Sequence, residues 1–120
     1  MKRLAFLAGL ALASCVTPGN SATPGLGQVG LIDGLRIRPL AIVEDSRCPI
    51  NAICVWAGRL VVRTEIRGGG WREVRDLELR KPAPIADGQL TLTEAAPSKM
   101  AEQPIDPKAY RFTFAFEGGL

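Results

Sequence analysis

Apolar and polar residues alternate over residues 60–67, which is the pattern of a β-strand with one buried face. Three glycines interrupt the pattern at 68–70, and residues 71–79 resume it with Trp71, Leu77 and Leu79 at positions of the same parity. Two strands joined across a glycine-rich break predict an antiparallel hairpin.

The charged positions around this hairpin mix six arginines with four acids: Arg59, Arg63, Arg67, Arg72, Arg75 and Arg80, with Glu65, Glu73, Asp76 and Glu78. Interleaved charges of both signs are typical of a solvated outer face with cross-strand pairs. Docking to anionic lipid headgroups or acidic glycans is the alternative. The small excess of positive charge favours the solvated face.

The last strand has the clearest pattern, since aromatic rings occupy every second position at Tyr110, Phe112, Phe114 and Phe116. Residues two apart on a strand share a face, so the four rings lie on one side. We expect them to form part of the core; the alternative is the lining of a ligand groove.

Shorter segments complete the expected fold. Asp33-Gly34 between residues 29–32 and 35–43 predicts a tight hairpin turn, and Pro39 predicts a bulge or an edge position. Residues 89–93 predict a short strand, followed by a connection over 95–108, with a short helix within 92–103 as the alternative. The fold class is therefore all-β, a single small antiparallel sandwich or barrel over residues 29–120.

The chain begins with Met1-Lys2-Arg3, continues with an apolar stretch over residues 4–13 and reaches Leu12-Ala13-Ser14-Cys15. This arrangement resembles a bacterial lipoprotein signal peptide with its lipobox. The resemblance implies removal of residues 1–14, lipidation of Cys15 and attachment to the cell envelope, with the periplasmic face of the outer membrane favoured. The alternatives are a secretory peptide cut elsewhere and an uncleaved anchor. Ten apolar residues make a helix of only about 15 Å, half the thickness of a bilayer core.

Removing residues 1–14 changes the charge balance, because that segment holds Lys2 and Arg3 and no acid. The 15 basic residues become 13 against 12 acids, so the net charge falls from +3 to +1. This balance argues against nucleic acid as a partner. Residues 16–28 are rich in Thr, Pro, Gly and Ser and predict a flexible tether, so we expect one domain after a lipidated tether over 15–28.

Once Cys15 is assigned to lipid, Cys48 and Cys54 remain in a compartment that permits disulfides, and we expect them to pair. A redox pair would have two intervening residues rather than five. The chain contains no histidine, and two thiolates do not complete a zinc site, so no metal or other cofactor is expected.

The run Asp45-Ser46-Arg47-Cys48-Pro49, followed by Cys54-Val55-Trp56-Ala57-Gly58, carries a more specific resemblance. It resembles the signature of an uncharacterised family of small bacterial envelope lipoproteins, with Asn51-Ala52 as a local departure. The likeness extends loosely to Gly27-Gln28, residues 77–79 and the Tyr110 strand. The resemblance implies a domain of the same extent and brings no established activity.

Four residues of this region are candidates for a binding loop: Glu44, Asp45, Arg47 and Trp56. Arginine and tryptophan are enriched in binding hot spots, and a disulfide lowers the ordering cost of a loop. The alternative is that the disulfide-closed loop is a corner of the sandwich with a purely structural role. No catalytic residue is expected, because neighbouring strand carboxylates point to opposite faces and Ser46 has no histidine to activate it.

We therefore expect a non-enzymatic, lipid-anchored envelope protein that binds or assembles with an envelope protein partner. The alternatives are a purely structural lipoprotein and an inhibitor of envelope proteases. Exposed Arg47 and Trp56 side chains would favour a binding module, and a buried Trp56 would favour the purely structural lipoprotein.

Overall fold

The computed structural model describes residues 21–118. The expected signal peptide and the expected lipidation site, Cys15, lie outside the described residues. The strands are β1 (Ser21–Ala22), β2 (Gly30–Ile32), β3 (Leu35–Asp45), β4 (Leu60–Arg67), β5 (Arg72–Glu78), β6 (Ala83–Ile85), β7 (Gly88–Ala96) and β8 (Arg111–Glu117), with a 3-10 turn at Pro107–Ala109.

The strands form two antiparallel four-stranded sheets. One has the order β1-β8-β7-β6 and the other the order β2-β3-β4-β5. Their apolar faces pack together, so the predicted all-β class is confirmed as a small β-sandwich. No helix among the described residues is long and apolar enough to cross a membrane.

Both predicted hairpins are present. Asp33 and Gly34 connect β2 and β3 with φ values of 46° and 83°, the left-handed conformation that a two-residue hairpin turn needs. The β4–β5 turn closes with a hydrogen bond from the Gly68 amide to the Trp71 carbonyl at 3.0 Å. The β3–β4 register shifts between Pro39 and Ala41, which confirms the bulge predicted at Pro39.

The core lies between the two sheets and takes its residues from the predicted apolar faces. The aromatic row is buried there, which confirms the prediction that it belongs to the core. The buried apolar side chains are Ile32, Leu35, Ile37, Leu60, Val62, Ile66, Leu77, Ile85, Leu90, Leu92, Tyr110, Phe112, Phe114 and Phe116. None of them lies between residues 45 and 60, so the cysteine loop stands outside the core.

The packed part of the chain begins earlier than the expected boundary at residue 29. Strand β1 pairs with β8, the Phe112 amide donates to the Pro24 carbonyl at 3.0 Å, and the Gly27 amide donates to the Pro39 carbonyl at 2.7 Å. Leu26 packs against the core. Residues 21–28 are therefore held by backbone hydrogen bonds despite their tether-like composition.

Two further segments differ from expectation. The connection after β5 includes the edge strand β6, where Pro84 is tolerated because an edge strand has one unpaired side. Strand β7 extends to Ala96 because its backbone pairs with β8, so the alternative of a helix within 92–103 is wrong.

The sandwich has two distinct ends. Asp45 at the end of β3 and Tyr110 before β8 lie together at what we call the loop end, next to the Cys48–Cys54 loop. The 33–34 and 68–70 turns lie at the opposite end of the same sheet, which we call the turn end. Ser21 lies opposite Ala115, and Ala22 lies opposite Phe114. Going from Ala22 to Ser21, toward the N-terminus, β1 therefore follows β8 away from the loop end.

Candidate functional site

The cysteine loop grows directly out of the β3–β4 hairpin. The Ser46 amide donates to the Arg59 carbonyl at 2.8 Å, and the Cys48 amide donates to the Ala57 carbonyl at 3.0 Å. These two bonds continue the strand pairing into the base of the loop. Gly58 completes the base with φ of 71°, and a Cβ there would lie 1.7 Å from the Ser46 carbonyl oxygen.

Cys48 and Cys54 form a disulfide, with an S–S distance of 2.10 Å and a Cα–Cα distance of 5.9 Å. The predicted pairing is therefore confirmed. The bridge closes a small ring beyond the paired base, so it restricts the loop where strand hydrogen bonds no longer do.

Asp45 is the centre of a hydrogen-bond cluster under the loop. Its carboxylate accepts from Arg47 Nε at 2.8 Å and Nη2 at 2.9 Å, a bidentate pair, and from the Tyr110 hydroxyl at 2.8 Å. Its backbone carbonyl accepts from Lys99 Nζ at 2.8 Å. Residues from both sheets therefore converge on one aspartate.

The environment of this cluster sets its protonation states. Burial alone would raise the pKa of Asp45, but hydrogen bonds from Arg47 and Tyr110, and the charges of Arg47 and Lys99, hold it below its usual range. Burial and the hydrogen bond to Asp45 raise the pKa of Tyr110 to about 12. The cluster therefore holds an ionised aspartate and a neutral tyrosine at neutral pH.

Glu44 belongs to a separate network on the solvent side. Its carboxylate accepts from the Ser46 hydroxyl at 2.8 Å and from Arg59 Nε at 2.8 Å, and these two bonds lower the pKa of Glu44. The Ser46 hydroxyl oxygen also accepts from the Arg59 amide at 3.0 Å. Glu44 and Asp45 thus bind different partners, and each helps to fix the loop base.

The loop also contacts the other sheet's long connection. The Ile50 amide donates to the Lys99 carbonyl at 2.9 Å, and the Asn51 side-chain carbonyl accepts from the Ala101 amide at 2.8 Å. These bonds join residues about fifty positions apart in sequence. The loop is therefore fastened at its base, by its disulfide and on one flank.

The outer part of the loop is apolar and exposed. Residues 48–58 contain no charged side chain. Ile53 and Val55 are fully exposed, Trp56 is 72% exposed and Ile50 is 69% exposed. We call these four residues the apolar tip. An exposed apolar patch is a common feature of interaction sites on soluble domains.

A cavity of about 410 Å³ lies beside the loop base. Its lining combines the base itself with charged side chains of both sheets, among them Arg59, Glu78, Arg80 and Glu94. The loop base is therefore flanked by a polar recess that presents both hydrogen-bond donors and hydrogen-bond acceptors.

The structure separates the four predicted loop residues into two groups. Glu44, Asp45 and Arg47 support the loop base, and the Arg47 side chain is only 15% exposed. Trp56 lies on the exposed apolar tip. The proposed criterion for a recognition loop, that Trp56 and Arg47 both be exposed, is therefore met by Trp56 alone.

Sequence reasoning missed several contributors. Ile50, Ile53 and Val55 could have been found, because an uncharged run with apolar residues outside any period of two is unusual for a surface loop. The roles of Tyr110 and Lys99 leave no such signal, because their partner Asp45 is more than fifty residues away in sequence.

Comparison of the chain with protein-family models, curated proteins and solved structures finds no match. Within residues 21–118, no group of three or more Cys, Asp or Glu side chains is arranged to hold a metal ion. The function is therefore argued from the geometry of the site.

Proposed function

We propose that this protein is a lipid-anchored module of the bacterial cell envelope that captures a partner protein through its apolar tip. The observation that carries the proposal is the exposure of Ile50, Ile53, Val55 and Trp56 on one disulfide-closed loop. The anchor is the expected lipid on Cys15, which rests on the lipobox resemblance.

The structure of the loop supports a role in binding rather than a role limited to stabilising the fold. A disulfide, the paired base and the Asp45 cluster would stabilise the corner equally well with polar residues at the tip. Large apolar side chains held in water gain free energy only when a partner covers them. A loop fixed in advance also loses less conformational entropy on binding.

The experiment compares capture by wild type with capture by a Val55→Ser, Trp56→Ser variant, after in-cell crosslinking, detergent extraction and mass spectrometry. Both positions are exposed, so the variant is expected to fold normally. Val74→Ser serves as the matched control, because Val74 is an exposed apolar residue on the outer face of β5. The proposal predicts an envelope protein captured by wild type and control and lost from the tip variant.

The same capture profile in all three proteins would overturn the proposal and leave the loop with a structural role. Intact-mass analysis of the membrane-extracted protein tests the anchor separately. Acyl groups on Cys15 are expected, and an unmodified chain beginning elsewhere would contradict the anchor without bearing on the tip.

A further inference from the structure

A second feature lies at the turn end, on the outer face of the β2-β3-β4-β5 sheet. Leu31, Arg36, Arg67 and Arg72 occupy one cross-strand row, each directly opposite the next. Directly opposed residues of neighbouring strands share a face of the sheet. Three arginines therefore stand side by side at strand spacing.

The next row on the same face consists of Arg38, Glu65 and Val74. We call Arg36, Arg38, Arg67 and Arg72 the arginine face. Glu65 lies among them and is nearly buried, with its carboxylate 2.5 Å from Arg72 Nε and 3.5 Å from Arg67 Nε. The two rows thus carry four positive charges and one negative charge.

Arg36 and Arg38 make no ion pair with any described residue. Both are exposed. Like charges placed directly opposite each other destabilise a sheet, so the pairing of Arg36 with Arg67 does not itself favour the fold. Glu65 offsets only one of the four positive charges on the arginine face, so an excess of three positive charges remains, which an anionic partner would neutralise.

The position of the arginine face relative to the expected lipid anchor favours a membrane surface as the anionic partner. Strand β1 read backward runs away from the loop end, as described above, and only six positions separate Ser21 from Cys15. Six residues span at most about 20 Å. The direction of β1 therefore favours the turn end as the end that a lipid on Cys15 would hold nearer to the membrane.

Apolar residues at the same end fit an interfacial location. Leu31 is 55% exposed in the arginine row, and Trp71 is partly exposed in the adjoining turn. Tryptophan favours the boundary between lipid and water, where basic side chains meet headgroups. The apolar tip, beyond the far end of the eleven-residue strand β3, lies about 30 Å further away.

We infer that the arginine face docks onto the anionic headgroups of the membrane that carries the anchor, which directs the apolar tip away from that membrane. The inference rests on the proposed lipid anchor for its orientation. Its binding chemistry belongs to the folded domain and is tested without the lipid.

The test uses the mature chain from residue 15 with Cys15→Ser, mixed with phosphatidylcholine vesicles or with vesicles of equal parts phosphatidylcholine and phosphatidylglycerol. Vesicle flotation measures the bound fraction. Binding only to the anionic vesicles is expected, and it should weaken as salt is raised. No binding to the anionic vesicles, or equal binding to the neutral and the anionic vesicles, would overturn the inference.

The Arg36→Gln, Arg38→Gln variant is expected to bind anionic vesicles about thirtyfold more weakly, from the contribution typical of each basic residue near such a surface. Arg80→Gln, Lys81→Gln is the control, because it removes the same charge from exposed positions at the loop end. An equal loss of vesicle binding in the control would show that binding depends on net charge alone, and it would overturn the assignment of binding to the arginine face.

A third variant, Trp56→Ser, separates this inference from the proposed function. It should float as wild type does, since the tip is directed away from the membrane. Loss of flotation in Trp56→Ser, with binding retained in the Arg36→Gln, Arg38→Gln variant, would reassign membrane contact to the tip and overturn the inference. Failure of partner capture alone leaves the vesicle result unchanged, so the two failures are distinguishable.

Discussion

The Tyr110 hydroxyl donates to Asp45 Oδ2 at 2.8 Å and so links the start of β8 in one sheet to the end of β3 in the other. The tyrosine ring is buried and stacks on Phe112, with centroids 5.5 Å apart. One residue therefore belongs to the core through its ring and to the loop base through its hydroxyl.

Removing that hydroxyl should weaken the loop base without emptying the core. Tyr110→Phe is expected to lower the free energy of unfolding by about 1.5–3 kcal/mol, the usual value for a hydrogen bond to a charged group. Urea denaturation measures the change. In an Asp45→Asn background the same substitution should cost clearly less, and an equal cost in both backgrounds would contradict the coupling.

The pH dependence of stability follows from the lowered pKa of Asp45. An acid whose folded pKa lies below its unfolded value stabilises the fold above the unfolded pKa, near 3.9, and loses that contribution as pH falls through the folded pKa. Wild type should therefore exceed Asp45→Asn in stability at neutral pH, and the difference should shrink below about pH 4. Denaturation midpoints across acidic pH measure it, and a constant difference would be inconsistent with an ionised Asp45 in the cluster.

Alkaline titration offers an independent check, since Tyr110 is the only tyrosine in the chain. Tyrosinate absorbance should rise with a midpoint at about 12. In Asp45→Asn the midpoint should move part of the way down toward the ordinary value of about 10, because the carboxylate charge is lost while the burial of the hydroxyl remains. An unshifted midpoint in wild type would place the hydroxyl in water.

Gly58 is the backbone position on which the loop base depends. Alanine there would combine positive φ with a Cβ 1.7 Å from the Ser46 carbonyl oxygen. We expect Gly58→Ala to destabilise the protein by more than about 2 kcal/mol, above the cost of a left-handed alanine alone. Gly34→Ala is the control, because it has positive φ but no atom within 4 Å, and it should cost only about 1 kcal/mol. Equal thermal melting shifts in the two would argue against the clash.

The disulfide should stabilise the loop more than the sandwich. Cys48→Ser, Cys54→Ser is expected to lower stability by about 2 kcal/mol, the chain-entropy value for so short a loop. Hydrogen exchange should quicken over residues 48–58 and remain slow in β4 and β8, which hold much of the core. Faster exchange throughout the strands would instead give the bridge a global role.

Glu65 and Arg36 should affect stability in opposite ways. Glu65→Gln removes the carboxylate that holds Arg67 and Arg72, so stability should fall. Arg36→Gln relieves repulsion from Arg67 opposite, so stability should stay level or rise slightly. Denaturant titration of both variants measures these changes in stability. A marked loss of stability in Arg36→Gln would mean that the arginine row supports the fold.

Much of the sandwich could be predicted from local pattern. The alternation at 60–67 and 110–116 identified core residues, and Asp33-Gly34 identified the first hairpin. Residues 21–28 could not be identified this way, since their Pro, Gly and Ser composition is that of a tether. They are held by backbone groups of β3 and β8, which composition does not reveal.

The candidate site also has one part that local sequence predicts and another part that depends on tertiary contacts. The sequence by itself determined the strand periodicity, the disulfide pair and the uncharged run over 48–58, because these depend on neighbouring residues and on a simple count of cysteines. Only the tertiary structure decided that Asp45, Lys99 and Tyr110 meet, and that Arg36 and Arg38 of β3 stand beside Arg67 and Arg72. Such contacts are set by strand order, register and the packing of one sheet on another, which bring together residues far apart in the chain.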